Sequence, residues 1–160
     1  MLNVKILCIG KLKEKYLKDA CAEYQKRLGA YCSLEILELP EERIAQNPSA
    51  AEIERVLNAE GDKIIQKLQR CEAVVTLCIE GRGLSSQELS EYIQAETVRG
   101  ISSIAFVIGG SYGLSEQVKS RSELKLSMSK MTFPHQLARV MLLEQIYRAF
   151  QISSGGKYHK

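Results

Sequence analysis

The sequence predicts a single α/β domain, a parallel sheet with helices packed on both of its faces. Three observations predict it. Apolar runs at Leu2–Ile9, 73–79 and 104–108 lack the polar alternation of a half-solvated strand, so both faces must be covered. Stretches with helical spacing separate them, giving the strand–helix alternation of a parallel sheet. The 160 residues hold no repeat, low-complexity segment or long linker, which suits one domain spanning 1–160.

Each element has its own signal. Leu2–Ile9 is the first strand, and residues 12–28 read as a helix with Leu12, Tyr16, Ala20, Tyr24 and Leu28 on one face. A second strand at 34–39 is stopped by Pro40, and 40–48, bounded by two prolines, reads as a flexible loop. Ser49 with Glu52 has capping-box spacing and opens a helix carrying Ile53, Val56, Leu57, Ile64 and Leu68. The third strand is 73–79, and Ser85 with Glu88 caps the following helix. Residues 104–108 form a fourth strand that runs into glycines. A short helix from about Ser115 precedes a strand at 124–128, and Pro134 suits the start of a last helix reaching about Ile152. That helix is apolar nearly all round. Leu137, Val140, Met141, Leu142, Leu143, Ile146, Tyr147 and Phe150 cannot all face one sheet, so a partner subunit is expected on its second side.

Bulk composition narrows the class without choosing a function. Hydrophobic residues at 45% and charged residues at 26% describe an ordinary globular chain. A net charge of +3 permits nucleic acid as a partner without demanding it. Five cysteines, Cys8, Cys21, Cys32, Cys71 and Cys78, form no Cys-x-x-Cys pair, and neither histidine lies near one, so no metal site is expected. Free buried thiols in a reducing cytoplasm are the simple reading. The N-terminal apolar run ends at Gly10 and a lysine-rich segment follows, unlike a signal peptide. No stretch approaches the roughly 20 apolar residues that span a bilayer, so no membrane partner is expected.

In open parallel sheets, ligands sit beyond the carboxyl ends of the strands. Three segments occupy such ends: 80–83, 109–113 and 129–133. The middle one, in Ala-Phe-Val-Ile-Gly-Gly-Ser-Tyr-Gly, invites close approach by a ligand, but not by a phosphate. A dinucleotide fingerprint would need glycine where Ile108 stands, and a P-loop would need Gly-Lys-Ser/Thr where Leu114-Ser115-Glu116 follows. Glu144 and Arg148, one turn apart, read first as a helix ion pair. Lys11, Lys15, Lys18 and Lys26 form a stripe on the first helix, either solvated or holding RNA phosphates. The closing Gly155-Gly156-Lys157-Tyr158-His159-Lys160 reads as an idle tail by composition, although Tyr, His and Lys are also the side chains that stack on, titrate against and hold a nucleic acid.

Four segments together resemble one family. VTLCIEGRGLSS (75–86), FVIGGSYGL (106–114), LSMSKMTFPHQLARVMLLEQIYRAF (126–150) and the final YHK are similar to the SPOUT-class ribosomal RNA large-subunit methyltransferases that act on N3 of a pseudouridine. ILCIGKLKEKYLKDACAEYQKRL (6–28) is similar too, so the resemblance spans essentially the whole chain. One position departs from it, Cys78, where the family more often carries an acid. The resemblance implies a homodimer with a trefoil-knotted fold that uses S-adenosylmethionine and takes the ribosome, through its 23S RNA, as substrate. Periodicity does not show a knot, and general chain topology argues against one. The implied cofactor contacts are Leu77, Gly109, Met128, Ser129, Lys130, Met131, Thr132 and Phe133, which fall on the strand-end segments above. Arg148, Tyr158 and His159 are implied to be catalytic, facing the substrate across the dimer interface. A branched side chain at Gly109 is expected to occupy the space the adenine needs.

Two readings compete with it. A nicotinamide-dependent enzyme would use the glycines as a partial dinucleotide motif, against which stand the missing first glycine and the missing ribose-binding acid. A non-catalytic ribosome-associated protein would use the lysine stripe and tail, with salt-dependent RNA binding that no cofactor alters.

Overall fold

The computed structural model describes residues 1–160. Five strands, β1 (Leu2–Ile9), β2 (Cys32–Leu39), β3 (Ala73–Gly83), β4 (Ser103–Ile108) and β5 (Leu124–Ser127), form one sheet in the order β2-β1-β4-β3-β5. Every neighbouring pair is parallel. Helices α1 (Lys15–Leu28), α3 (Ser86–Val98) and α5 (His135–Ser153) pack together on one face, and α2 (Ala50–Leu68) and α4 (Glu116–Arg121) on the other. The alternation of side chains along the strands feeds two cores. Val4, Ile6 and Cys8 of β1 and Ile104, Phe106 and Ile108 of β4 face α1, α3 and α5. Leu7, Ile9, Ala105 and Val107 face α2 and α4. Burial on both faces is why these strands read as unbroken apolar runs.

Helix starts follow their caps. Ser85 and Glu88 complete a reciprocal capping box, whereas Ser49 accepts from the Glu52 amide and only that half of the expected box forms. Pro134 sits at the N-cap of α5, one place before the first helical residue. The 40–48 segment is irregular, as expected of a loop, but it is anchored. Lys63 pairs with Glu42 at 2.8 Å, and the Glu42 amide donates to Glu60 at 3.0 Å.

Two sequence expectations fail for identifiable reasons. The first helix begins at Lys15, not Leu12, because the amides of Leu12 and Lys13 donate to Glu38 (3.3 Å) and Gln136 (2.9 Å). Lys11 therefore lies before the helix, outside the stripe it was placed in. The buried face of α1 is Leu17, Cys21 and Leu28, with Tyr24 half-buried, while Tyr16 is 69% exposed. The helix is turned by about one residue relative to the face expected. Secondly, 80–83 is not a loop beyond β3. Leu126 of β5 pairs with Leu77 and again with Arg82, and residues 78–81 bulge out between. A Cβ at Gly81 would stand 2.6 Å from the Lys125 carbonyl oxygen, so glycine lets the strands close over this bulge.

Candidate functional site

The carboxyl ends of β3, β4 and β5 enclose a cavity of about 760 Å³, within the range of small-molecule sites. Its walls come from four places: Leu77 and the 78–80 bulge, the loop 109–114, the stretch from Met128 to the start of α5, and Lys119 of α4. Of the eight residues implied to hold a cofactor, Leu77, Gly109, Met128, Ser129, Met131, Thr132 and Phe133 line this cavity; Lys130 is exposed and is not part of the wall. The segments are far apart in sequence, and it is the β4-β3-β5 order that gathers them.

The glycine loop turns back on itself. Gly110 and Gly113 form an isolated antiparallel bridge, the Gly113 amide donates to the Gly110 carbonyl at 3.1 Å, and Gly113 has φ +84°. A Cβ on Gly109 would collide with the Gly113 backbone. The expectation that a side chain there would fill ligand space is thus corrected: it would first force the loop open. Within the loop 128–133, Ser129 Oγ accepts from the Met131 amide at 3.0 Å, and its carbonyl accepts from Ser127 Oγ. These short bonds give the segment a fixed path past the cavity.

Only two formally charged side chains line the cavity. Lys119 of α4 and Glu80 of the bulge meet at 2.6 Å. The hydrogen bond from Lys119 holds the Glu80 carboxyl below its ordinary range, and Glu80 in turn raises the Lys119 ammonium. Cys78, the position that departs from the family pattern, is buried at the cavity wall, its thiol near Thr76 Oγ1 (3.5 Å) and pushed upward by burial. It supplies no negative charge. Sequence reasoning passed over Lys119, which stands 39 positions from its partner with no motif around it. All five cysteines are free and buried, as expected, and burial drives the Cys8 thiol up to about 12.

Arg148, Tyr158 and His159 converge on one another, outside this cavity. Glu144 Oε1 accepts from Arg148 Nη2 at 2.6 Å, from Arg148 Nε at 3.0 Å and from Tyr158 Oη at 3.1 Å. Hence the helix pair read from the sequence does form, and it also anchors the tail. The Arg148 guanidinium lies over the Tyr158 ring at 4.7 Å, and Tyr158 packs edge-on against Tyr147 at 4.9 Å. Arg148 Nη1 stands 3.1 Å from His159 Nδ1. A guanidinium can only donate, so Nδ1 accepts and a neutral His159 carries its proton on Nε2. The tail folds back on α5. Beside it is a hollow of about 570 Å³ walled by residues that include Tyr24 and Glu144, and sharing Leu126 and Met128 with the first cavity.

S-adenosylmethionine fits the first cavity by chemistry. Leu77, Met128, Met131 and Phe133 offer apolar surface to an adenine, and the glycines leave main chain free to meet its edge. A pyrophosphate fits poorly, because the one cation in the wall is already neutralised by Glu80. Nor does α4, the helix that carries Lys119, offer a free N-terminus. The N-cap of α4, Ser115, is buried against Gly61 of α2 and accepts from the Val118 amide at 3.3 Å. The nicotinamide reading loses its support here.

A family model described as a predicted SPOUT methyltransferase matches residues 2–159. Among curated proteins, the ribosomal RNA large subunit methyltransferase H of Clostridioides difficile (strain 630) is 50% identical over 159 residues, covering 99% of this chain and 100% of that one. The protein of the same name from Clostridium botulinum (strain Eklund 17B / Type B) is 54% identical over 159 residues, with the same coverage. Among solved structures, a probable methyltransferase from Bordetella pertussis Tohama I has a TM-score of 0.59 at 12% identity, covering 92% of this chain and 93% of that one. A probable methylase family protein from Haemophilus influenzae Rd KW20 gives 0.57 at 14% identity, with 98% and 70% covered. At those identities the structures speak to the fold alone. The family match and the half-identical relatives both run the length of the sequence, and the chain belongs to the SPOUT methyltransferase family.

Proposed function

We propose that the protein transfers a methyl group from S-adenosylmethionine to N3 of a pseudouridine in large-subunit ribosomal RNA, acting as a homodimer on the assembled ribosome. The observation that carries this reading is the cavity in which three strand ends bring glycine main chain and apolar side chains to a ligand of S-adenosylmethionine's size. The names of the full-length relatives supply the RNA. The pseudouridine, the assembled particle and a knot in the C-terminal half rest on the resemblance of the motifs alone.

When bound, S-adenosylmethionine supplies a methyl on a positive sulfonium, open to in-line attack by a nitrogen. Loops 109–113 and 128–133 hold and aim it, and orientation of this kind supplies at best about 7–11 kcal/mol of the barrier. On the substrate side, Arg148 offers a fixed positive charge to the base as its N3–H ionises. His159 is the proton acceptor through Nδ1, the nitrogen that Arg148 covers in the free chain. Substrate entry thus has to part Arg148 from His159, which frees the Nδ1 acceptor and the Nη1 donor together while Glu144 keeps its hold on Nε and Nη2. Tyr158 stacks on or positions the base, and Glu144 holds both Arg148 and Tyr158 in place.

None of these residues lines the cavity of its own chain, and a second copy would bring them to it. Apolar side chains exposed at the cavity mouth, Ile79, Tyr112 and Met131, with Leu137 on α5, support such an interface. The test is methyl transfer from labelled cofactor to ribosomes that lack the modification, with mapping of the labelled base. Label on N3 of a single pseudouridine bears the proposal out. Salt-sensitive binding without label would leave the non-catalytic reading in its place.

A further inference from the structure

A small-molecule donor of this class has two unlike ends. The adenosine is neutral and flat, and the amino-acid end is a zwitterion, with a carboxylate and an ammonium on one carbon. The cavity lining offers the same two kinds of surface. Leu77, Met128, Met131 and Phe133 are apolar, and the glycine loop gives main chain, whereas all of its formal charge is on Lys119 and Glu80. Lys119 is only 18% exposed and its Nζ is 2.6 Å from Glu80 Oε1, with Glu116 Oε1 at 3.8 Å. Glu80 is mostly exposed at the mouth, on the bulge.

Resting on the cofactor reading above, we propose that Lys119 and Glu80 form the subsite for the amino-acid end of S-adenosylmethionine, Lys119 meeting its carboxylate and Glu80 its ammonium. An ion leaving water must find a counter-charge. In this wall a carboxylate has one cation to find, and an ammonium one anion. Because the two side chains already satisfy each other, the zwitterion inserts into an existing pair, and no charge of either sign is stranded when the site is empty. The same pairing disfavours ligands with net negative charge, since they would need Lys119 without having anything for Glu80. The bulge at 78–81, closed over by Gly81, is what brings Glu80 into reach of α4. The subsite is therefore a product of the β3–β5 register.

Calorimetry with two ligands separates this role from a general effect on the cavity. S-adenosylhomocysteine carries the amino-acid end and 5′-methylthioadenosine lacks it. Lys119→Met should weaken S-adenosylhomocysteine about tenfold or more and methylthioadenosine by less than about threefold, as loss of one charge-assisted bond implies. Glu80→Gln should show the same selectivity with a smaller loss, and Lys119→Arg should recover most of the affinity. Far-ultraviolet circular dichroism verifies that each variant is folded; should Lys119→Met not fold, Glu80→Gln and Lys119→Arg carry the same comparison. Equal losses for both ligands, or no loss for either, would overturn the subsite while leaving the cofactor reading standing. Wild-type protein that binds neither ligand would overturn the cofactor reading, and this assignment with it.

Discussion

Arg139, 3% exposed in the first turns of α5, donates to Glu38 Oε2 at 2.7 Å across 101 positions of sequence. Its other terminal nitrogen donates to the Gly10 carbonyl at 3.2 Å, while Nε is buried without a partner. One guanidinium thus ties α5 to the ends of β1 and β2, beside the stretch that leads into the cavity. The two partners are unequal, because Glu38 is 35% exposed and can be hydrated alone. Glu38→Ala strands a buried charge and should cost about 3 kcal/mol. Arg139→Met removes that charge and its unsatisfied Nε together, and should cost nearer to 1 kcal/mol. Urea denaturation of the two variants gives the order, and a larger loss for Arg139→Met would contradict it.

Gly109 and Gly110 are adjacent, yet the structure separates their roles. A Cβ on Gly109 runs into the Gly113 backbone, which cannot move without opening the 110–113 bridge. On Gly110 it meets Ile9 Cγ2 at 3.1 Å, the end of a side chain that has some room to shift. Gly109→Ala should therefore lower S-adenosylhomocysteine affinity by tenfold or more, about 1.4 kcal/mol at the least, and Gly110→Ala by clearly less. Calorimetry on both variants checks this, and equal affinities would mean the loop geometry does not shape the site.

Much of this was legible in the sequence where a signal is local. The β1, β3 and β4 runs announce burial on two faces, the Ser85–Glu88 spacing sets the start of α3, and the glycines of 109–113 mark a turn at a strand end. What stayed hidden depends on distant partners. Lys119 becomes a cavity residue only when α4 lies over the β3 bulge, and Arg139 becomes buried only when β2 brings Glu38 beneath α5. Gly81-Arg82-Gly83 looks like a turn, yet Arg82 and Gly83 pair with β5, because Gly81 beside them lets two backbones touch. The α1 face was misjudged because Tyr16 and Leu17 are both apolar enough to lead a stripe. Packing against α5 chooses Leu17.

Glu60 predicts an unusual pH dependence. It is buried in α2 close to Glu41 and Glu42, and burial, aided by those carboxylates, raises its carboxyl above the ordinary value against the pull of the Glu42 amide and Lys63. A raised value means that the folded state holds this proton more tightly than the unfolded chain does. The resulting stability is complete below the ordinary glutamate range and is lost as pH rises through the raised value. Glu60→Gln keeps an acceptor for the Glu42 amide and should be more stable than wild type at neutral pH. The advantage should close toward about pH 4, the ordinary glutamate range. Urea midpoints at the two pH values measure it, and a variant less stable at neutral pH would show that Lys63 outweighs burial.

The tail offers a clean separation of binding from chemistry. Tyr158 and His159 bond to or pack on Glu144, Tyr147 and Arg148, none of which lines the cavity. Deleting residues 157–160 should leave S-adenosylhomocysteine affinity unchanged and abolish methylation of ribosomes. Arg148→Lys keeps the charge but loses the two-nitrogen grip on Glu144 and the plane that lies over Tyr158. It should lower turnover by about 100-fold, the scale of losing one donor to a developing anion, again with cofactor binding intact. Full-rate methylation by the truncated protein would remove Tyr158 and His159 from the mechanism. A truncated protein that no longer bound the cofactor would mean instead that the tail shapes the cavity, and its role would be structural.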